Sequence, residues 1–159
     1  MEEEGENSYL LVLGTGALEK RVQALAEKSC RVRAVGQVGE TALYYRAADV
    51  FLLPSRYEGT SLSLLEAMAC GLAVVATDTG DTARVVGEGE AGLLVPPEDV
   101  TALGEAMLRL GREEDLRCRL GQAAREKVEK EYSLRVMMER YEKLILRLLG
   151  ERRSYRTNR

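Results

Sequence analysis

"DVFLLPSRYEGTSLSLLEAMACGLAVVAT" (residues 49–77) sets two short apolar runs on either side of a segment with helical spacing. The first run, residues 50–53, stops at Pro54, and the second, residues 72–77, starts just past Gly71. Between them "SLSLLEAMA" repeats its apolar residues at three- and four-residue intervals, as a helix does. Neither run alternates apolar with polar residues, which is the mark of a strand covered on both faces. A strand, a helix and a second strand of this kind form one right-handed crossover between parallel neighbours.

The same unit recurs outward in both directions. "YLLVL" precedes "ALEKRVQALAEK", "VRAV" precedes "ETALYYRAA", "LAVVAT" precedes "DTARVV", and "AGLLVP" precedes "DVTALGEAMLRLG". Five strands alternating with helices predict an α/β fold, a doubly wound parallel sheet with helices on both faces. After residue 111 the pattern turns wholly helical. "EEDLRCRLGQAAREKVEKEY" carries Leu116, Leu120, Ala123 and Val128 on one face, and "SLRVMMERYEKLILRLL" carries Leu134, Met137, Met138, Tyr141, Leu144, Ile145 and Leu148. These two amphipathic helices close the domain. Ser133 is the expected N-cap of the second and Gly150 its expected stop. The organisation read from the chain is an acidic tail over residues 1–8, one domain over 9–149, and a basic tail over 150–159.

Composition narrows the function. Of the 159 residues 45% are apolar and 31% charged, typical of a globular protein. A net charge of −3 argues against nucleic acid as a partner. The chain has no histidine, which removes the commonest general base and metal ligand, and Cys30, Cys70 and Cys118 show no metal-binding or disulfide spacing. No metal is expected, and unpaired cysteines suit a reducing cytoplasm. No apolar run is long enough to span a bilayer.

The chemistry concentrates after Pro54. The loop over residues 54–60 leaves the carboxyl end of a strand, where ligands of open α/β sheets bind. Gly59 permits close backbone approach, and the amides near Thr60 to Ser63 start the next helix without intrahelical partners, a ready anion site. Glu58 stands at the mouth of that site and Glu66 in the second helical turn, each able to accept a pair of hydroxyls. One diphosphate with a sugar at either end fits this spacing. So does a capping box, in which Ser63 caps the helix and Glu66 only satisfies backbone donors.

"PSRYEGTSLSLLEAMACGLAVVATDTG" resembles the donor-binding segment of the retaining family-4 glycosyltransferases of GT-B fold, in which two glutamates with seven residues between them are followed by Ala-Met-Ala-x-Gly. The likeness runs over roughly residues 9–147, through "LLVLGTGALEKRVQALA", "VRAVGQV", "ADVFLLPS", "AGLLVPPEDVTAL" and "AREKVEKEYSL". It implies the Rossmann-like carboxyl-terminal half of such an enzyme, which holds a nucleotide-sugar donor linked to UDP or GDP, with no other cofactor. Carried over by position, Glu58 would contact the donor sugar as the catalytic carboxylate. The backbone of Gly59, Thr60, Ser61 and Leu62 would hold sugar and phosphate, and Glu66 the ribose. Gly36, Gln37 and Val38 would hold the base, with Gly14 and Gly16 lining the same crevice. "GTGALE" lacks the third glycine of a dinucleotide fingerprint.

The departures bear on activity. In the family a further βα unit precedes this region and brings an Arg and a Lys to the diphosphate, and an amino-terminal half holds the acceptor; neither is found in these 159 residues. The expected partner is therefore an acceptor-binding half, without which turnover should be slight. Where the family has two glycines and then an acidic residue, this chain has Gly80, Asp81 and Arg84, the last a replacement cation for the diphosphate or a surface arginine. A noncatalytic nucleotide-sugar-binding or scaffold domain is the alternative function. A receiver-type domain is excluded because no acidic cluster follows "YLLVL". The apolar stripe of the last helix predicts self-association or docking to a partner.

Overall fold

The computed structural model describes residues 8–87 and 89–157, with side chains described as far as residue 150. Five strands, β1 (Leu10–Leu13), β2 (Val32–Gly36), β3 (Val50–Leu53), β4 (Ala73–Thr77) and β5 (Leu93–Val95), alternate with α1 (Glu19–Lys28), α2 (Thr41–Ala47), α3 (Leu62–Ala69) and α4 (Thr82–Val86). Three more helices follow: α5 (Val100–Arg112), α6 (Glu114–Glu131) and α7 (Leu134–Thr157). All strand pairs are parallel, as the continuous apolar runs predict.

The strands form two ladders, β1–β2 and β3–β4–β5, and among the described residues no hydrogen-bonded pairing joins them. β4 is the centre of the larger ladder, and all five of its residues are buried. Its pleat divides the core. Val74 and Ala76 face one cluster with Leu64, Met68, Val85, Ala124 and Val128 from α3, α4 and α6. Ala73 and Val75 face the other with Ala106, Leu110, Leu116 and Leu120 from α5 and α6. Helices thus cover both faces of β4, the doubly wound arrangement read from the sequence. The β1–β2 ladder is far less covered: Leu10 and Leu11 are exposed, and α1 buries no residue completely.

Turn chemistry fixes where elements stop. Gly71, at φ +80°, ends α3 in the left-handed conformation, and the Leu72 amide donates back to the Ala67 carbonyl. Ser61 caps α3, its hydroxyl accepting from the Leu64 amide at 3.4 Å. Ser133 caps α7 as expected, accepting from the Val136 amide. Gly150 does not stop that helix. α7 continues through Thr157, because an exposed helix rich in strong helix formers carries one glycine at a cost of only about 1 kcal/mol. The acidic residues 1–7 lie outside the described residues.

α6 packs against the end of α3 through Gly121, where an added Cβ would collide with the Gly71 carbonyl oxygen. The obstacle is backbone on both sides, so neither helix can yield cheaply. Gly121→Ala should therefore destabilise the domain by about 1–3 kcal/mol through overpacking, despite the better helix propensity of alanine. Urea unfolding of the variant checks this, with a lower midpoint as the expected result.

Candidate functional site

The loop over residues 54–61 links the carboxyl end of β3 to α3, and the end of β4 holds it in place. The Thr77 hydroxyl, buried beneath it, donates to the carbonyls of Leu53 and Ser55 at 3.2 and 2.5 Å. Ser55 in turn donates to Glu58 Oε1 at 2.8 Å, orienting a half-buried carboxylate whose second oxygen keeps its acceptor capacity. A second loop meets this one edge-on. Gly80, at φ +54°, lies so close to the Glu58 carbonyl that any side chain there would collide with it. Thr60 then donates to Asp81 Oδ2 at 2.9 Å, tying the two loops together.

Glu66 lies on the exposed side of α3, five residues past the cap. Its Oε2 accepts from Thr41 Oγ1 and from Tyr45 Oη, each at 3.3 Å. Tyr45 is buried and packs edge-on against Phe51, with ring centroids 5.8 Å apart. Burial, and then the neighbouring Glu66 carboxylate, push the Tyr45 phenol above its ordinary pKa, so it stays a donor to Glu66. The capping-box reading of Glu66 is corrected here. The N-cap is Ser61, which puts Glu66 beyond the reach of the first-turn amides, and its carboxylate is engaged by α2 instead. The amides of Leu62 and Ser63, ahead of the capped Leu64 amide, open the helix without intrahelical partners.

The glycines form a separate surface. Gly14, at φ +102°, donates its amide to the Gly36 carbonyl at 2.7 Å, closing the ends of β1 and β2. An open cleft of about 440 Å³ lies there, lined by Gly14, Thr15, Gly16, Glu19, Gln23 and Gly36 among others. Gln37 and Val38 follow in the loop after β2 and do not line it. The structure therefore gathers Glu58, Gly59, Thr60, Ser61 and Leu62 at one loop and Gly14, Gly16 and Gly36 at another, with Glu66 facing α2.

Sequence reasoning missed the side chains that hold these groups. Ser55 had a local signal, since a serine three residues before a loop carboxylate can reach it. Thr41, Tyr45 and Asp81 had none, because their partners lie 21 or more residues away. Among the described residues no cluster of three metal-ligating side chains occurs, and no helix is long and apolar enough to cross a membrane.

Comparison with known proteins gives the same picture. A family described as "Glycosyl transferases group 1" matches residues 2–113. The chain is 39% identical over 117 residues to a D-inositol 3-phosphate glycosyltransferase of Corynebacterium jeikeium, covering 70% of this chain and 28% of that protein. It is 42% identical over 91 residues to the lipopolysaccharide core biosynthesis mannosyltransferase LpsB of Rhizobium meliloti, covering 56% of this chain and 26% of that protein. Among solved structures, sucrose-phosphate synthase from Thermosynechococcus elongatus superposes with a TM-score of 0.80 at 34% identity, over 89% of this chain and 39% of that one. Anabaena HepE, solved in complex with UDP, shares the fold with a TM-score of 0.75 at 19% identity, over 86% of this chain and 40% of that one. The chain spans about a quarter to two fifths of these proteins, and over that span it aligns with their carboxyl-terminal half. With the parallel α/β fold and the paired glutamates around α3, these matches show that the chain belongs to the group 1 glycosyl transferases.

Proposed function

We propose that this domain binds the nucleotide-sugar donor of a two-domain glycosyltransferase and needs an acceptor-binding half to complete its cleft. The observation that carries this reading is that each of Glu58 and Glu66 is held by one carboxylate oxygen while the other remains able to accept. A carboxylate positioned by protein donors is preorganised to receive ligand hydroxyls. Between the two lies the start of α3, whose free amides and positive dipole end suit a diphosphate. Glu66 takes the ribose diol and Glu58 a hydroxyl of the donor sugar. Residues 59–62 follow the phosphates with their backbone, and the loop from Gly36 to Val38, with Gly14 and Gly16, takes the base.

In the transfer step the anomeric carbon exchanges its bond to the diphosphate oxygen for one to an acceptor hydroxyl oxygen; negative charge grows on the leaving oxygen, and the departing diphosphate takes up the hydroxyl proton. Backbone amides fixed before the reaction stabilise that charge without reorganising. The reaction also needs water excluded from the cleft, which half a cleft does poorly. The isolated chain accordingly binds nucleotide weakly and transfers little sugar. UDP is the first probe, because a structural neighbour is solved with it, and GDP the second. The three unpaired cysteines suit a reducing cytoplasm.

α7 supports an assembly role. Its large apolar residues from Leu134 to Leu149 are exposed, from 42% at Leu144 to 68% at Leu134. Leu134, Met138, Tyr141, Ile145 and Leu148 repeat at alternating intervals of four and three, the spacing of a two-helix seam. A second copy of the chain, offering the same seam, is the proposed occupant.

Three measurements test this reading. Glu66→Ala should weaken UDP binding by about 1.5–3 kcal/mol, and uridine binding equally, since both carry the ribose; unchanged affinities would make Glu66 a link between α2 and α3 and nothing more. Glu58→Gln should leave UDP affinity intact and lower affinity only for a UDP-sugar, and equal losses for both ligands would move Glu58 away from the sugar. Sedimentation across micromolar concentrations should show the wild type self-associating and a Met138→Glu, Tyr141→Glu variant monomeric. A folded, monomeric wild type rules the α7 contact out.

A further inference from the structure

The turn after β4, residues 78–82, has a composition the paired glutamates do not explain. Asp81 points its carboxylate at two donors: Oδ2 accepts from Thr60 Oγ1 at 2.9 Å and from Arg84 Nη2 at 2.8 Å. Sharing one oxygen places the guanidinium within two hydrogen-bond lengths of the Thr60 hydroxyl, one residue before the cap of α3. Arg84 is itself seated, its guanidinium carbon 6.0 Å from the centre of the Tyr132 ring, and its side chain is 63% exposed. The turn cannot drift from the donor loop, because Gly80 packs against the Glu58 backbone. Two more hydroxyls of this turn, Thr79 and Thr82, are buried without a hydrogen-bond partner among the described residues, the kind of unmet demand that gathers at functional sites.

An anion already sits beside an anion-attracting helix start, and it is the protein's own. The Arg84 guanidinium, and then the Thr60 hydroxyl, hold the Asp81 carboxyl below its usual range, so it is charged at neutral pH. A carboxylate and a phosphate oxygen pair use the same donors, and arginine matches both with its planar fork. An exposed ion pair of this kind contributes little, so exchanging one oxyanion for another costs little.

We propose that Asp81 is an internal stand-in for phosphate: the donor's diphosphate displaces its carboxylate from Thr60 and Arg84, and Arg84 becomes the cation that takes a phosphate oxygen. This rests on the donor-site reading above. It gives the chain a cation of its own at the phosphates, recruited from a turn and held ready by a carboxylate. The sign of each charge change follows. Removing the arginine weakens a phosphate-bearing ligand, and neutralising the aspartate, which competes with that ligand, strengthens it.

Calorimetric titration of the full chain with UDP and with uridine, at low and high salt, tests this for the wild type, Arg84→Gln and Asp81→Asn. Both variants lie on the surface, and circular dichroism verifies that they fold. Arg84→Gln should lose about three- to tenfold in UDP affinity and Asp81→Asn gain by a similar factor, with both effects shrinking at high salt and uridine unaffected throughout. Arg84→Lys should recover part of the loss. If the wild type binds UDP and neither variant changes its affinity, the stand-in is overturned while the donor site stands. If Asp81→Asn weakens UDP and uridine alike, Asp81 only braces the loop, and the proposal is again overturned. A wild type that binds neither UDP nor GDP overturns the donor-site reading and this inference with it.

Discussion

Burial of β4 on both faces is the constraint on which the molecule depends. The strand offers Val74 and Ala76 to one layer of helices and Ala73 and Val75 to the other, so both cores are anchored to the same four consecutive residues. Such a strand can carry only one polar side chain cheaply, at its end, and there Thr77 spends its hydroxyl on the carbonyls of Leu53 and Ser55. That bond fixes where the chain leaves β3. The position of Ser55 then sets Glu58, and the turn after β4 sets Thr60 through Asp81. The geometry of the candidate site is thus a consequence of core packing, passed along a short series of hydrogen bonds.

This architecture explains how two carboxylates can be kept ready in solvent. An exposed glutamate free to rotate loses side-chain entropy when it grips a ligand. Glu66 has met part of that loss in advance, since Thr41 and Tyr45 hold one oxygen and the Tyr45 ring is locked by burial and by Phe51. Glu58 is restrained in the same manner by Ser55. Different elements supply the restraint in each case, so the two groups respond independently to substitution.

Much of this was legible in the chain. Continuous apolar runs such as "LAVVAT" announce strands covered on both faces, and the intervals within "SLSLLEAMA" and "EEDLRCRLGQAAREKVEKEY" announce helices, because burial imposes those periods directly. Local caps were legible in part: Ser133 was placed correctly, but Ser61, not Ser63, caps α3, since two serines two residues apart give the same local signal. Gly150 was misread because a glycine stops a helix only where the chain has a reason to turn. The partners of Glu66 and Thr60 were beyond reach, as they depend on which helices the crossovers bring together. The division of the strands into two ladders was equally hidden, for the apolar pattern of β1 is the same with one neighbour or two.

The division has a consequence for motion. The unit of β1, α1 and β2 has no fully buried residue, while β4 and the helices around it contain nearly all of the core. Local opening costs least where little apolar surface is buried, so amide protons of β1 and β2 are expected to exchange through small fluctuations that leave β4 protected. The glycine-lined cleft belongs to the looser unit and the paired glutamates to the tighter one. A ligand reaching across both would have to order the first while finding the second already in place, and part of its binding energy would go into that ordering.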